Sequence, residues 1–228
     1  MLTRHLIAIA TALIVALSAP AFSGKRATGR ALSEIEIADL MFMREEEKLA
    51  RDVYAELYQY HKDENVELLI FANIANSEQR HMNAMLRLLN RYRLEDPADG
   101  ALPGEFENEI LSELYVDLVS SGAITETDLN EPTNGGKVSP TDAFYVGAWI
   151  EERDMLDILL AISNTSRADI VGVYTNLLCG SRSHLRAFVA RIGADAYEPQ
   201  LLSPESSSVP ATETLEYWLS DESDEICM

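Results

Sequence analysis

The sequence predicts an all-α protein: an antiparallel four-helix bundle whose one long crossover, between helices 2 and 3, carries a short extra helix. Three observations lead there. Four segments repeat apolar residues at three- and four-residue steps, the period of an amphipathic helix. No segment alternates apolar and polar residues with the period of two that a half-buried strand needs. Aromatics make up only 7% of the chain, and much of its 47% hydrophobic content is Leu, Ala and Ile, which favours helices over a β-sandwich. At 228 residues there is room for one medium domain with appendages.

The first 23 residues read as a secretory signal. Arg4 and His5 form a short polar start, and the apolar run Leu6 to Leu17 is broken only by Thr11. Ala21-Phe22-Ser23 then places small residues at −3 and −1 of a cleavage before Gly24. That run is too short to span a bilayer comfortably, so no stable membrane insertion is expected after cleavage. A periplasmic or secreted location follows, with residues 24–32 as a flexible leader.

Ser33 is a helix N-cap, and Glu36 three residues on completes a capping box. From there to about Tyr60 one stripe carries Leu40, Met43, Glu47, Ala50, Tyr54 and Leu57. A second helix runs from about Leu68 to Arg93, closed by Asp96-Pro97 and Gly100. The crossover, Pro103 to Pro140, holds one short helix from Asn108 to Ser120 and a turn at Asn134-Gly135-Gly136. The third long helix follows the Ser139-Pro140-Thr141-Asp142 cap and ends near Ile162; the fourth spans about Ser166 to Ile192, closed by Gly193. The bundle is thus placed at 33–193. Residues 194–228 form an acidic Ser/Pro-rich tail, expected to be extended, with Leu215, Trp218 and Leu219 available to dock back.

Chemistry concentrates on the inward stripes. Glu78 and His81 are three apart on one helix, so carboxylate and imidazole share a face and can hold one ion. Glu47 offers a carboxylate from the preceding helix. Glu45 and Glu46 compete with it for the inward position, but the spacing to Ala50 and Tyr54 favours Glu47. A Glu from one helix with Glu-x-x-His from the next is half of the ligand set that di-iron bundles project into their cores.

Glu47-x-x-Ala50-Arg51-x-x-Tyr54 followed by Phe71-x-x-Ile74-Ala75-x-x-Glu78-x-x-His81 resembles the first half of a rubrerythrin or ferritin-like di-iron domain. The longer run Met43 to Tyr54, with Gly180-Ser181-Arg182-Ser183-His184-Leu185-Arg186-Ala187-Phe188, is similar to an uncharacterised bacterial ferritin-like family, a domain of unknown function. The likeness covers roughly residues 33 to 200. It implies that Glu151 is the third-helix ligand and that Asp154 stands where rubrerythrins can carry a further carboxylate. On the fourth helix the expected Glu-x-x-His reads Ser181-Arg182-Ser183-His184: the His is present and the Glu is not. The resemblance therefore implies a metal set of Glu47, Glu78, His81, Glu151, Asp154 and His184, asymmetric at Ser181, holding one or two iron or manganese ions.

The formal charge of −20 becomes −21 once the signal leaves with Arg4. So acidic a chain repels nucleic acid and anionic membranes. Cys179 lies in an apolar helical stretch and reads as a small core residue, while Cys227, next to the terminus, is free to pair. Met41, Met43, Met82 and Met85 read as core filling, and His61, beside Lys62 and Asp63, as exposed. The expected function is a periplasmic or secreted metal-binding bundle with oxidase or peroxide-type redox chemistry. The competing class is a non-enzymatic bundle whose degenerate site leaves it a protein-interaction or structural module. Homo-oligomerisation stays open, and the sequence points to no protein partner.

Overall fold

The computed structural model describes residues 31–124, 132–194, 196–199, 201–202 and 215–227. Among these, every regular element is helical: α1 (Glu34–Asp63), α2 (Leu69–Tyr92), α3 (Glu109–Leu118), α4 (Pro140–Ser163), α5 (Ala168–Ile192), the short α6 (Leu215–Leu219), and a 3₁₀ helix at Asp221–Cys227. Among the described residues the one extended pairing is an isolated antiparallel bridge between Ala123 and Asn134. No described helix is long and apolar enough to cross a membrane. The expected signal segment and most of the leader lie outside the described residues.

Local chemistry sets the helix ends. Ser33 accepts the backbone N–H of Glu36 while the Glu36 carboxylate accepts that of Ser33, a closed capping box. Asn108 caps α3 through the N–H groups of Ile110 and Leu111. Ser139 caps α4, with Pro140 at its first turn. At the far end of α5, Gly193 takes φ 102°, a conformation open to glycine.

The four long helices pack as a helical bundle: α1 lies along α2, α4 along α5, and the pairs meet through α1–α4 and α2–α5. The core is continuous from Leu40 and Tyr54 through Phe71 to Trp149 and Phe188. Met43 and Met85 are buried within it as gap-filling side chains, Met82 is buried outside it, and Met41 packs partly buried against it.

Three details depart from the sequence reading. His61 is buried, not exposed, its Nε2 2.8 Å from the carbonyl oxygen of Gly136, so the crossover covers the end of α1. Cys179 is half-buried instead of a core residue and is bonded to Cys227. The end of the tail is helical instead of extended; it does dock on α5, with Trp218 buried and Arg186 donating to the carbonyls of Trp218 and Ser220.

Candidate metal centre

The charged run at the middle of α1 is buried almost entire, and each member has a different partner. Arg44 makes two 2.9 Å bonds to Asp96. Glu45 accepts the backbone N–H groups of Glu107 and Asn108. Lys48 donates to Asp52 and to the Leu102 carbonyl, and Asp52 also accepts the Gly104 N–H. These bonds tie the crossover to α1. Glu46 turns toward α4, and Glu47 turns into the bundle, as its spacing predicts.

At the centre, Glu47, Glu78 and His81 each present a donor atom, all within 4.8 Å of one another; Glu78, Glu151 and His184 form a second such group. Glu78 belongs to both. Its Oε2 lies 2.6 Å from His81 Nδ1 and its Oε1 2.7 Å from His184 Nδ1. Glu47 Oε2 is 3.1 Å from His81 Nδ1, and Glu151 Oε1 is 3.5 Å from His184 Nδ1. The two imidazoles stack at 5.7 Å between centroids. On the other side of Glu151, the Tyr54 hydroxyl donates to Oε1 at 2.6 Å, fixing that carboxylate.

Asp154 sits apart from both groups. Its Oδ2 bonds the Ser181 hydroxyl, which also donates to the Leu177 carbonyl. Ser181 thus stands where the α5 carboxylate was expected, engaged by an α4 carboxylate one turn beyond Glu151. Gly180, next to it, lets the His81 ring lie against α5: a Cβ there would fall 2.4 Å from Cε1 and 2.5 Å from Nε2.

These carboxylates are 1–4% exposed, and burying ionised carboxylates together is costly unless cations or protons compensate. Burial pushes Glu47 up to about 8 despite the His81 imidazole. Burial also raises Glu151 and, with the charges of Glu47 and Glu151, drives Asp154 well above the carboxylate range. Glu78 alone moves down: burial opposes this, but the two imidazoles beside it prevail. Burial would lower both histidines, yet the facing carboxylates raise His81 to about 12 and His184 to about 10. Balance in the bare protein therefore rests on protonated imidazoles and acids.

Protons do not satisfy every atom. Glu47 Oε1, Glu78 Oε1, Asp154 Oδ1 and His184 Nδ1 are buried without a hydrogen-bond partner, the 2.7 Å approach of Glu78 to His184 being out of line for one. Orphaned donor atoms of this kind are rare in a folded core. Carboxylate oxygens and imidazole nitrogens converging on shared points could hold a metal ion. The residues present fit such a group, two donor triads sharing one carboxylate.

Of the six residues singled out from the sequence, Glu47, Glu78, His81, Glu151 and His184 lie together in these two groups and Asp154 lies outside them. Not legible in the sequence is the burial of Glu45, Glu46, Lys48 and Asp52, and of Glu152, which accepts the Tyr197 hydroxyl and the N–H groups of Leu201 and Leu202. The one available signal was a helix charged on faces that also carry its apolar stripe.

Fold and centre together define a helical-bundle protein with a buried carboxylate–histidine cluster. The chain belongs to the DUF2202 family, an uncharacterized protein domain, matched over residues 36–209. It is similar to the uncharacterized protein MJ0754 of Methanocaldococcus jannaschii, 43% identical over 176 residues that cover 76% of this chain and 85% of the relative. The crystal structure of the hypothetical protein MJ0754 from Methanococcus jannaschii DSM 2661 aligns with a TM-score of 0.66 at 41% identity, covering 78% of this chain and 93% of the other.

Proposed function

We propose that this chain is a ferritin-like four-helix-bundle protein, exported to the periplasm or beyond, that holds one or two iron or manganese ions and serves oxidase or peroxide-type redox chemistry. The observation that carries the reading is Glu78, a buried carboxylate reaching two donor triads at once. Bound iron or manganese would supply the redox electrons for oxygen or peroxide. The protein's own part is positional. Glu78 orients both imidazoles, Glu47 and Glu151 close the two triads, and Tyr54 holds Glu151 by its hydroxyl. Tyr54, Phe71 and Phe188 pack their rings within 5.8 Å of one another, walling water from that side. Ser181, too weak a ligand to replace a carboxylate, makes the two triads unequal.

The test is the metal content of protein purified under reducing conditions with Fe(II) or Mn(II), repeated for Glu78→Ala and His184→Ala. The reading expects stoichiometric metal in the parent, none in Glu78→Ala, and reduced content in His184→Ala. Folded parent protein without metal would sink it and leave the interaction-module class standing.

A further inference from the structure

The end of the chain, α6 and the 3₁₀ helix at Asp221–Cys227, lies on α5 as a strap. Cys179, Arg182 and Arg186 receive it, and steps of three and four residues put them on one face of that helix. Gly180 and His184, which meet the donor triads, lie on another face of the same stretch. Arg186 donates from Nε to the Trp218 carbonyl at 3.0 Å and from Nη2 to that of Ser220, and Arg182 Nη1 donates to the Ser223 carbonyl at 3.2 Å. Both guanidiniums pair with Asp224, whose side chain is 49% exposed. At its last described residue, Cys227, the strap is bonded to Cys179.

Without that bond the hold is weak. Helices of five and seven residues fall short of the ~12–15 residues an isolated helix needs in water, so each forms only while docked. The arginine bonds end on backbone carbonyls that converge only when the strap is helical. The pairs with Asp224 stand half in solvent, where ion pairs contribute little. Trp218 is buried, yet its indole N–H has no acceptor, a donor that gains a hydrogen bond once it reaches water. The disulfide also lies where a reductant can attack it, with Cys227 exposed and Cys179 half-buried. The strap follows the last bundle helix, so its release leaves α1 to α5 packed on one another.

We propose that Cys179–Cys227 is a redox latch: reduction by a dithiol releases the strap from α5 while the bundle stays folded, and reoxidation closes it again. The dithiol gives two electrons and two protons to the S–S bond, which becomes two thiols, and leaves as its own disulfide. Opening uncovers Arg182 and Arg186 and frees the Cys179 thiol on the helix that carries His184. The switch stands independently of the metal reading. Hydrogen exchange of the full chain, followed by mass spectrometry, tests it in air-oxidised protein, after dithiothreitol, and in Cys227→Ser, a change at an exposed position. The oxidised protein should protect the amides of 215–227. The reduced protein and Cys227→Ser should lose that protection while α1 to α5 keep theirs, and removing dithiothreitol in air should restore it in the parent alone. Protection of 215–227 that survives with both thiols titrated as free would overturn the latch, because the strap then docks unaided. Loss of protection spreading through α4 and α5 would overturn it as well, making the bond a staple of the whole bundle.

Discussion

Gly180→Ala adds one methyl group at the point where α5 meets the His81 imidazole. The new Cβ would stand 2.4 Å from Cε1 and 2.5 Å from Nε2. Carbon atoms rest at about 3.5–4.0 Å, so the ring must move by roughly 1 Å. His81 cannot move that far and keep both Glu47 and Glu78 within reach of Nδ1, at 3.1 and 2.6 Å. Metal–ligand distances tolerate about 0.2 Å, so the first triad loses its imidazole geometry. Overpacking costs about 1–3 kcal/mol, while replacing glycine inside a helix returns up to about 1 kcal/mol. The net cost of about 0–3 kcal/mol leaves the chain folded. Affinity for Mn(II) or Fe(II), titrated calorimetrically, should fall at least ~10-fold, the lower end for loss of a ligand's support. Gly172→Ala on the same helix is the control: it is exposed, and a Cβ there meets nothing within 4 Å. It should leave affinity unchanged and raise stability slightly. Parent-like affinity in Gly180→Ala would refute the assignment of His81 as a ligand held by that contact.

Ion binding should release protons. At pH 7 the raised His81, His184 and Glu47 hold protons that a bound ion must displace, so affinity rises with pH. Calorimetry in buffers of different ionisation enthalpy should register that release, and pH-independent binding would contradict it. Acid should weaken the crossover clamp. Burial pushes the Asp96 carboxyl up, but the Arg44 bonds and the Ala98 N–H outweigh it and hold Asp96 low. Its stabilisation is present above the ordinary carboxylate range and lost as pH falls through the depressed value. The gap in Tm between parent and Asp96→Asn should therefore close as pH falls from the ordinary carboxylate range through the depressed value, and a constant gap would refute the pairing. Reduction of Cys179–Cys227, 48 residues apart, should cost up to about 4 kcal/mol by chain entropy. A Tm unchanged by reductant, with free thiols confirmed, would remove the bond from the account.

Where the determinants are local, the sequence was readable. Ser33 with Glu36, Asn108, and Ser139 with Pro140 mark helix starts because their bonds close within three residues. Glu78 and His81 share a face for the same geometric reason. What escaped reading depends on partners far along the chain. Glu45 is buried because N–H groups some sixty residues later fold over it; Glu152 is buried because the segment after α5 returns to it. His61 looked exposed beside Lys62 and Asp63 until the Gly136 turn covered it. The pairing of Cys179 with Cys227 likewise needed the terminal helices in place. Burial of a charge is a tertiary fact, and helical periodicity alone assigns charges to solvent.

The central claim is that Glu78 joins two donor triads that hold metal. The most direct measurement is anomalous scattering at the manganese edge from crystals of the Mn(II)-loaded protein. The account predicts a peak among Glu47, Glu78 and His81, or among Glu78, Glu151 and His184, and two peaks sharing Glu78 when both are filled. Peaks confined to surface carboxylates, or none in well-ordered crystals grown with Mn(II), would contradict it.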